Sequence, residues 1–253
     1  MRIVYEYVRL FAIMTMNHKI GFLWYLVFPL FLFFVYHAPW LMQQPEEDTF
    51  IHQSSLFISY ITLVMSVEVT TSLISLRETG FLKMFKFVSG SKNGVILGKL
   101  ISQLVFLILM ILLFTAITGT LYLNSYAHFL PFVMTALTSS LIGGLAVSLL
   151  VLNILFLPVR QESLMTLLNI SVLVMFLISA NSDSLPFPLG HVMAFINPLE
   201  YVRNLTFVFA EWFTGQPISH LSSVYLFLIT GLYMGLGTTG FKWIKIVSPT
   251  YRT

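Results

Sequence analysis

The 253-residue sequence contains no cysteine, which excludes disulfide staples, thiolate nucleophiles and cysteine-held zinc or iron–sulfur sites. Charge is scarce as well. Asp, Glu, Lys and Arg make up 9% of the chain, against about 25% in a soluble globular domain. The net charge of +3 is small and scattered, so nucleic acid is not an expected partner. A nucleotide site of the chain's own is also missing. A phosphate-binding loop, Gly-x-x-x-x-Gly-Lys-Ser/Thr, wraps backbone amides around phosphate and sets a hydroxyl on magnesium. The nearest approach is Gly98-Lys99, which has Asn93 where the first glycine belongs and Leu100 where the hydroxyl belongs. His-Glu-x-x-His, Gly-x-Ser-x-Gly and paired intramembrane carboxylates are absent, which leaves no recognised hydrolase or metal motif.

What the chain does have is apolar length: 57% of residues are hydrophobic and the mean hydropathy is +0.89. A helix needs about 20 apolar residues to cross a hydrocarbon core of about 30 Å. Six runs meet that length, over Gly21–Trp40, Ser54–Leu76, Leu100–Leu123, Phe132–Leu157, Ser163–Ala180 and Leu221–Phe241. Pro29 within the first predicts a kink rather than a break, since neighbouring helices absorb a missing donor at membrane depth. Arg2 and Arg9 precede an apolar stretch interrupted by Glu6, Asn17, His18 and Lys19 and lacking a small-x-small cleavage site, so a removable signal peptide is not expected.

Six spans put both termini on one side. Twelve of the thirteen Lys and Arg residues fall on that side, and only Arg203 falls opposite. Basic residues mark the cytoplasmic face, so both termini are expected in the cytoplasm and the chain in the cell membrane. Glu46, Glu47, Asp48, Asp183, Glu200 and Glu211 then collect outside.

Four segments differ from ordinary connectors. Residues 1–19 place Arg2, Glu6 and Arg9 on one helical stripe and Val4, Tyr7, Val8 and Phe11 on others, the pattern of a helix lying in the cytoplasmic interface. Residues 77–99 form a long basic loop with a helix-like stretch around Glu78–Phe87 and the turn-rich Ser89-Gly90-Ser91-Lys92-Asn93-Gly94. This loop either receives a cytoplasmic partner or, more plainly, fixes topology and touches anionic lipid. Residues 181–220 are apolar although they lie outside the membrane, so they are expected to fold back onto the outer leaflet or the bundle mouth as short helices. Asn197-Pro198 reads as an N-cap with a first-turn proline, opening a helix over Leu199–Phe213 that ends near Gly215. Pro186, Pro188 and Gly190 break the approach to it. The tail from Lys242 to Thr253 reads as a topological anchor.

Glu68 is the one carboxylate well inside a run, nine residues or roughly 13 Å from Arg77. An ionised group there costs at least about 2.5 kcal/mol, so it faces the interior, is protonated, or has a partner. It is a pathway or proton-sensitive group, or else a neutral acid hydrogen-bonded to Ser66, Thr70 or a neighbouring helix. Asn153, Asn169 and Thr70-Thr71-Ser72 read as interhelical glue. Gly143-Gly144 and the Gly231/Gly235 pair read as close-packing faces. The 24 Phe, 12 Met and 11 Tyr mostly fill the bundle or face lipid, and some offer an adaptable apolar path.

The order of these features resembles the permease subunits of ATP-binding cassette (ABC) exporters of the type-2 class. The resemblance spans essentially the whole chain by topology. It is carried locally by Arg77-Glu78-Thr79-Gly80-Phe81-Leu82-Lys83 after the second run and Asn197-Pro198-Leu199-Glu200-Tyr201-Val202-Arg203 before the last. It implies an all-α membrane protein: six transmembrane helices, an N-terminal interfacial amphipathic helix, and short outer re-entrant helices before the last span, all in one permease domain over residues 1–253. It implies that Arg77, Glu78, Phe81, Lys83, Met84 and Phe87 contact a cytoplasmic ATPase. It makes Pro198, Glu200, Tyr201 and Arg203 outer-gate candidates, with Glu68 a pathway candidate. ATP and magnesium would sit on the partner, two copies of which pair with two permease subunits, identical or homologous. The chain lacks the Arg-rich start and aromatic-lined first span of the polysaccharide-exporting branch, so the expected cargo is an amphipathic or hydrophobic peptide, drug or lipid-like molecule. Two alternatives from other classes stay open: an intramembrane hydrolase or lipid-modifying transferase, and an ion-gradient-driven carrier using Glu68.

Overall fold

A computed structural model describes residues 2–17, 19–123, 126–156, 161–182 and 188–243. Arg160, Asp183, Pro186, Lys245 and Arg252, which enter the charge and turn arguments above, lie outside the described residues. Among the described residues the chain is all α-helical, without strands. Ten helices follow one another: α1 (Arg2–Asn17), α2 (Lys19–Tyr36), α3 (Glu47–Glu78), α4 (Phe81–Ser89), α5 (Lys92–Tyr122), α6 (Tyr126–Val151), α7 (Gln161–Ser179), α8 (Leu189–Ile196), α9 (Pro198–Thr214) and α10 (Ser223–Trp243). A 3-10 turn, Leu152–Phe156, prolongs α6.

Four of these are long and apolar enough to cross a membrane: α3, α5, α6 with its 3-10 extension, and α7. The apolar stretches of α2 and α10, Trp24–Tyr36 and Ser223–Thr239, are shorter. Pro29 lies inside α2 without ending it.

Two helices run longer than their apolar cores because polar residues start or finish them. Glu47 and Asp48 occupy the first turn of α3 and Arg77 its last, each opposite in sign to the helix end it sits on. Ser91 caps α5 by accepting the Asn93 amide at 3.2 Å, so α5 begins eight residues before the apolar run that predicted it. The turn anticipated over residues 89–94 shrinks to Gly90 and Ser91, with Asn93 and Gly94 drawn into the helix.

α3 is the central element and packs against α5, α6, α7 and α9. Several of its hydroxyl side chains bond back to carbonyls three or four residues earlier, as Ser55 does to His52, Ser59 to Ser55 and Thr62 to Ile58. Two also reach across to α6: Thr62 Oγ1 donates to Ser140 Oγ at 3.0 Å, and Ser66 Oγ to the Gly144 carbonyl at 3.1 Å. Gly144 makes this approach possible, since a Cβ there would lie 2.6 Å from Leu107 Cδ2 and 3.3 Å from Thr62 Cγ2. Gly231 and Gly235 meet nothing within 4 Å, whereas at Gly237 a Cβ would collide with Leu149.

The α4 end of the bundle gathers α1, the starts of α2, α5 and α7, and the close of α6. At the far end stands a knot of rings. Phe33 is fully buried and lies 4.6–6.4 Å, centroid to centroid, from Phe34, His37, Trp40, Phe50, Phe57, Phe114 and Tyr122. The geometries are mostly edge-to-face, the arrangement ring quadrupoles favour.

Close packing at Gly144 makes a stability prediction. Gly144→Val should destabilise the protein by about 1–3 kcal/mol through overpacking, while Gly231→Ala should be neutral. Thermal unfolding of the two variants in mild detergent checks the contrast.

Candidate functional site

Gly80 and Gly90 flank α4 with φ of 77° and 73°, a left-handed backbone that glycine adopts without the steric cost a side chain brings. The chain thus turns sharply out of α3, runs nine residues, and turns sharply into α5. Leu82 anchors the helix inward and is almost fully buried, while Phe81, Met84, Phe87 and Val88 face outward. Phe87 is 92% exposed, and Lys83 and Lys86 are exposed beside it. A contiguous apolar face fringed by cations, on a short helix projecting from the end of a bundle, is a surface for contact rather than for packing within the chain.

α1 braces this projection. The Tyr7 hydroxyl donates to the Phe85 carbonyl at 3.0 Å, and the two rings meet edge to face at 5.6 Å. Tyr7 can sit there because α5 carries Gly98 opposite it, where a Cβ would lie 2.5 Å from Tyr7 Cβ. The buried face of α1 is Tyr7 and Phe11, so the expected amphipathic helix lies against α5.

Arg77 and Glu78 sit differently from the other four residues expected to meet an ATPase. Arg77 is 3% exposed and its Nη1 donates to the Leu155 carbonyl at 2.6 Å, within the 3-10 turn that closes α6. Glu78 Oε1 accepts the backbone N–H of Gln161, the first residue of α7, at 2.7 Å. Helix ends leave carbonyls and amides without intrahelical partners. Here a cation meets the carbonyl end of one helix and an anion the amide end of the next.

A second feature is a cleft bounded by α2, α3 and α7. Glu68 lines both of its lobes. The lobe of about 510 Å³ extends past Tyr25, Phe28, Tyr60, Val64, Asn169 and Val172. The lobe of about 340 Å³ reaches Thr15, Ser72, Ser75, Lys99 and Gln161. Glu68 Oε2 accepts from the Tyr25 hydroxyl at 3.1 Å and from Thr71 Oγ1 at 3.2 Å. Of the expected partners, a neighbouring helix takes part through Tyr25 of α2, and Thr71 joins it in place of Ser66, which bonds to α3 and α6 carbonyls, and Thr70, whose Oγ1 is buried without a hydrogen bond. The first lobe reaches Tyr60, whose ring stands 5.4 Å from that of Phe176, a neighbour of Phe57 in the aromatic knot.

Lys99 also lines this cleft, although the apolar run that begins at Leu100 sets it just outside a span. Because α5 starts at Lys92, Lys99 lies seven residues inside the helix, 3% exposed. Its ammonium stands 5.8 Å from the centroid of the Phe11 ring. The Ser91-Lys92-Asn93 capping signal was the clue to its depth.

The outer-gate candidates lie together on α9, the most deeply buried helix. Asn197 caps it by accepting the Leu199 amide at 3.0 Å, Pro198 takes the first turn, and Gly215 ends it at a φ of 75°. Pro198, Glu200, Tyr201 and Arg203 are all buried. α8 follows the course of α10, its carbonyls at His191 and Phe195 accepting from Tyr225 and Tyr233. The chain then reverses at Asn197, so α8 and α9 form a helical hairpin. The hairpin is pinned by polar contacts. Arg203 Nη1 donates to the Ser179 carbonyl at 2.8 Å and to Ser182 Oγ at 3.0 Å. Glu200 accepts from Ser182 at 3.0 Å and Asn204 at 3.1 Å, and Tyr201 and Thr230 share a 2.5 Å hydrogen bond.

Among the described residues no group of three or more His, Asp and Glu side chains converges on a common point. Four of the five described histidines go to separate contacts: His37 joins the aromatic knot, His52 stacks on Phe207, His128 pairs with Glu47 at 2.6 Å, and His191 lies beside Tyr225, while His220 is exposed. Comparison of the chain with protein-family models, with curated proteins and with solved structures finds no match.

The inward Arg77 contact and the outward α4 face should separate in stability measurements. Arg77→Ala leaves the Leu155 carbonyl without its donor and should cost about 1–3 kcal/mol. Lys83→Ala, on an exposed position, should change stability by less than about 0.5 kcal/mol. Thermal denaturation in detergent reads both.

Proposed function

We propose that the chain is the membrane-spanning permease subunit of an ATP-driven exporter of the ABC type-2 class. The reading takes six spans, α2, α3, α5, α6, α7 and α10, with both termini and α4 in the cytoplasm of a cell whose plasma membrane holds the bundle. The positive-inside distribution supports that orientation. The observation that carries the proposal is α4: a short helix held between two long apolar ones, presenting Phe81, Met84, Phe87 and two lysines outward. An ATP-driven bundle without a phosphate-binding loop takes its motor from another chain, and α4 has the form of a helix that docks into a groove by its apolar face.

In this mechanism two cytoplasmic ATP-binding subunits each receive the α4 of one permease subunit, and two permease subunits, identical or homologous, form the transporter. ATP and magnesium belong to the motor subunits, and this chain's part is to transmit motion. Force on α4 enters α3 and α5 directly. It enters α6 and α7 through Arg77 and Glu78, and α1 through Tyr7. The Glu68 cleft then serves as the cargo site accessible from the cytoplasm, while the aromatic knot and the α8–α9 hairpin close the outer side. Pro198, Glu200, Tyr201 and Arg203 act by holding that hairpin in place. The cargo suited to such a cleft is an amphipathic or hydrophobic molecule.

Purification from native membranes in mild detergent tests the reading. The wild-type chain should bring down a stoichiometric ATP-hydrolysing subunit, and Phe87→Asp or Met84→Asp should reduce its recovery to under about a tenth, as loss of a central interface anchor does. A chain that purifies alone and transports or hydrolyses without such a subunit contradicts it.

A further inference from the structure

We infer that the Glu68–Lys99 cleft binds a zwitterionic amphiphile whose charges follow the order apolar part, cation, anion, the order of a betaine. The inference deepens the cargo-site reading above and rests on it for direction, but the recognition chemistry belongs to the cleft itself.

Three observations carry it. First, both charged groups face one continuous space without pairing with each other. Glu68 and Lys99 line the same lobe, yet among the described residues neither forms an ion pair within 4.0 Å. Glu68 Oε2 takes both hydrogen bonds, from Tyr25 and Thr71, and leaves Oε1 as an open acceptor. Lys99 is nine-tenths buried or more and has an aromatic ring as its neighbour. Two charges held at this depth, each with unused capacity, are costly to an empty bundle. A ligand carrying both complementary charges satisfies them together.

Second, the two groups lie at different depths. Glu68 is ten residues before the end of α3 and Lys99 seven residues after the start of α5, so at 1.5 Å per residue they sit about 15 Å and about 10 Å from the α4 end. Phe11, which the Lys99 ammonium overlies, belongs to α1 at that same end. The carboxylate is therefore the deeper charge.

Third, the apolar wall continues inward from Glu68. Phe28, Tyr60, Val64 and Val172 line the lobe beyond it, while the lobe on the Lys99 side sets Thr15, Ser72 and Ser75 among Phe11, Met14 and Leu76. A ligand with its apolar part among the rings puts its next group against Glu68, which requires a cation, and its outermost group against Lys99, which requires an anion. A phospholipid headgroup such as phosphocholine has the reverse order, with phosphate next to the tail and ammonium outermost. It would set phosphate against carboxylate and ammonium against ammonium.

Two probes of equal chain length separate the orders: decyl dimethylammonio-propanesulfonate, in which the cation comes first, and decylphosphocholine, in which the phosphate comes first. Trp24 lines the cleft, so its emission reports occupancy when each probe is titrated, below its micellar concentration, into the full chain in maltoside. Trp24→Phe should abolish the signal. The sulfobetaine should saturate at a concentration about tenfold lower than the phosphocholine, the factor a single favourable charge contact supplies. Glu68→Gln and Lys99→Gln should remove that advantage, and Lys99→Arg should retain it. Equal half-saturation for the two probes, or an advantage untouched by both Gln variants, overturns the inference. Binding needs no motor subunit, so a chain that discriminates the probes but recovers no ATPase keeps this site and loses the exporter reading. A chain that recovers its ATPase but treats both probes alike loses only the site.

Discussion

At the corner where α3 ends, two consecutive side chains of opposite charge reach two different helix termini. The Arg77 guanidinium holds the Leu155 carbonyl and the Glu78 carboxylate holds the Gln161 amide. Unpaired backbone groups are expensive near a hydrocarbon layer, and a connection between two helices exposes both kinds, carbonyls on the leaving side and amides on the entering side. Supplying both from one corner of a third helix fixes α6 and α7 against α3. The corner from which α4 leaves is thereby tied to two further helices, and under the proposed function that tie would carry a displacement of α4 into α6 and α7. The left-handed backbone on either side of α4 places its two changes of direction at single residues, Gly80 and Gly90.

The cleft depends on the same framework from the inside. Glu68 belongs to α3 and Lys99 to α5, and both helices run directly into the α4 corner. Two hydroxyl donors hold one carboxylate oxygen in place, and the Phe11 ring offers the ammonium the negative face of its π system. Phe11 can do so only because Gly98, the residue before Lys99, lets α1 approach α5 at backbone distance. Floor, walls and charges of the cleft are thus set by neighbouring residues in sequence that serve different helices.

Much of the fold was legible because apolar length and capping chemistry are local. Each apolar run folds as helix, and Asn197, Pro198 and Gly215 open and close α9 where their preferences require. The candidate site was legible only in part. Phe81, Met84 and Phe87 share one exposed face, as helical spacing dictates. Arg77 and Glu78 belong to the same stretch but turn inward, because their partners lie about eighty residues further along the chain and a sequence pattern carries no record of which distant terminus stands nearby. Lys99 was hidden for a related reason: hydropathy marks where apolar residues begin, whereas the helix begins at its cap. Gly231 and Gly235 show the limit of a spacing motif, since the glycines in close contact within the chain are Gly98, Gly119, Gly143, Gly144 and Gly237.

The ring knot around Phe33 closes its end of the bundle mainly with apolar edges, and polar contacts such as His37 Nδ1 to the Phe33 carbonyl stay within one helix. A seal of that kind parts without leaving donors and acceptors orphaned between helices, so what resists its opening is the hydration of hydrocarbon. Hydrating apolar surface carries a large heat-capacity change, so under the proposed transport cycle an equilibrium between shut and open states of this end would inherit a curved dependence on temperature, with both warming and chilling able to shift it.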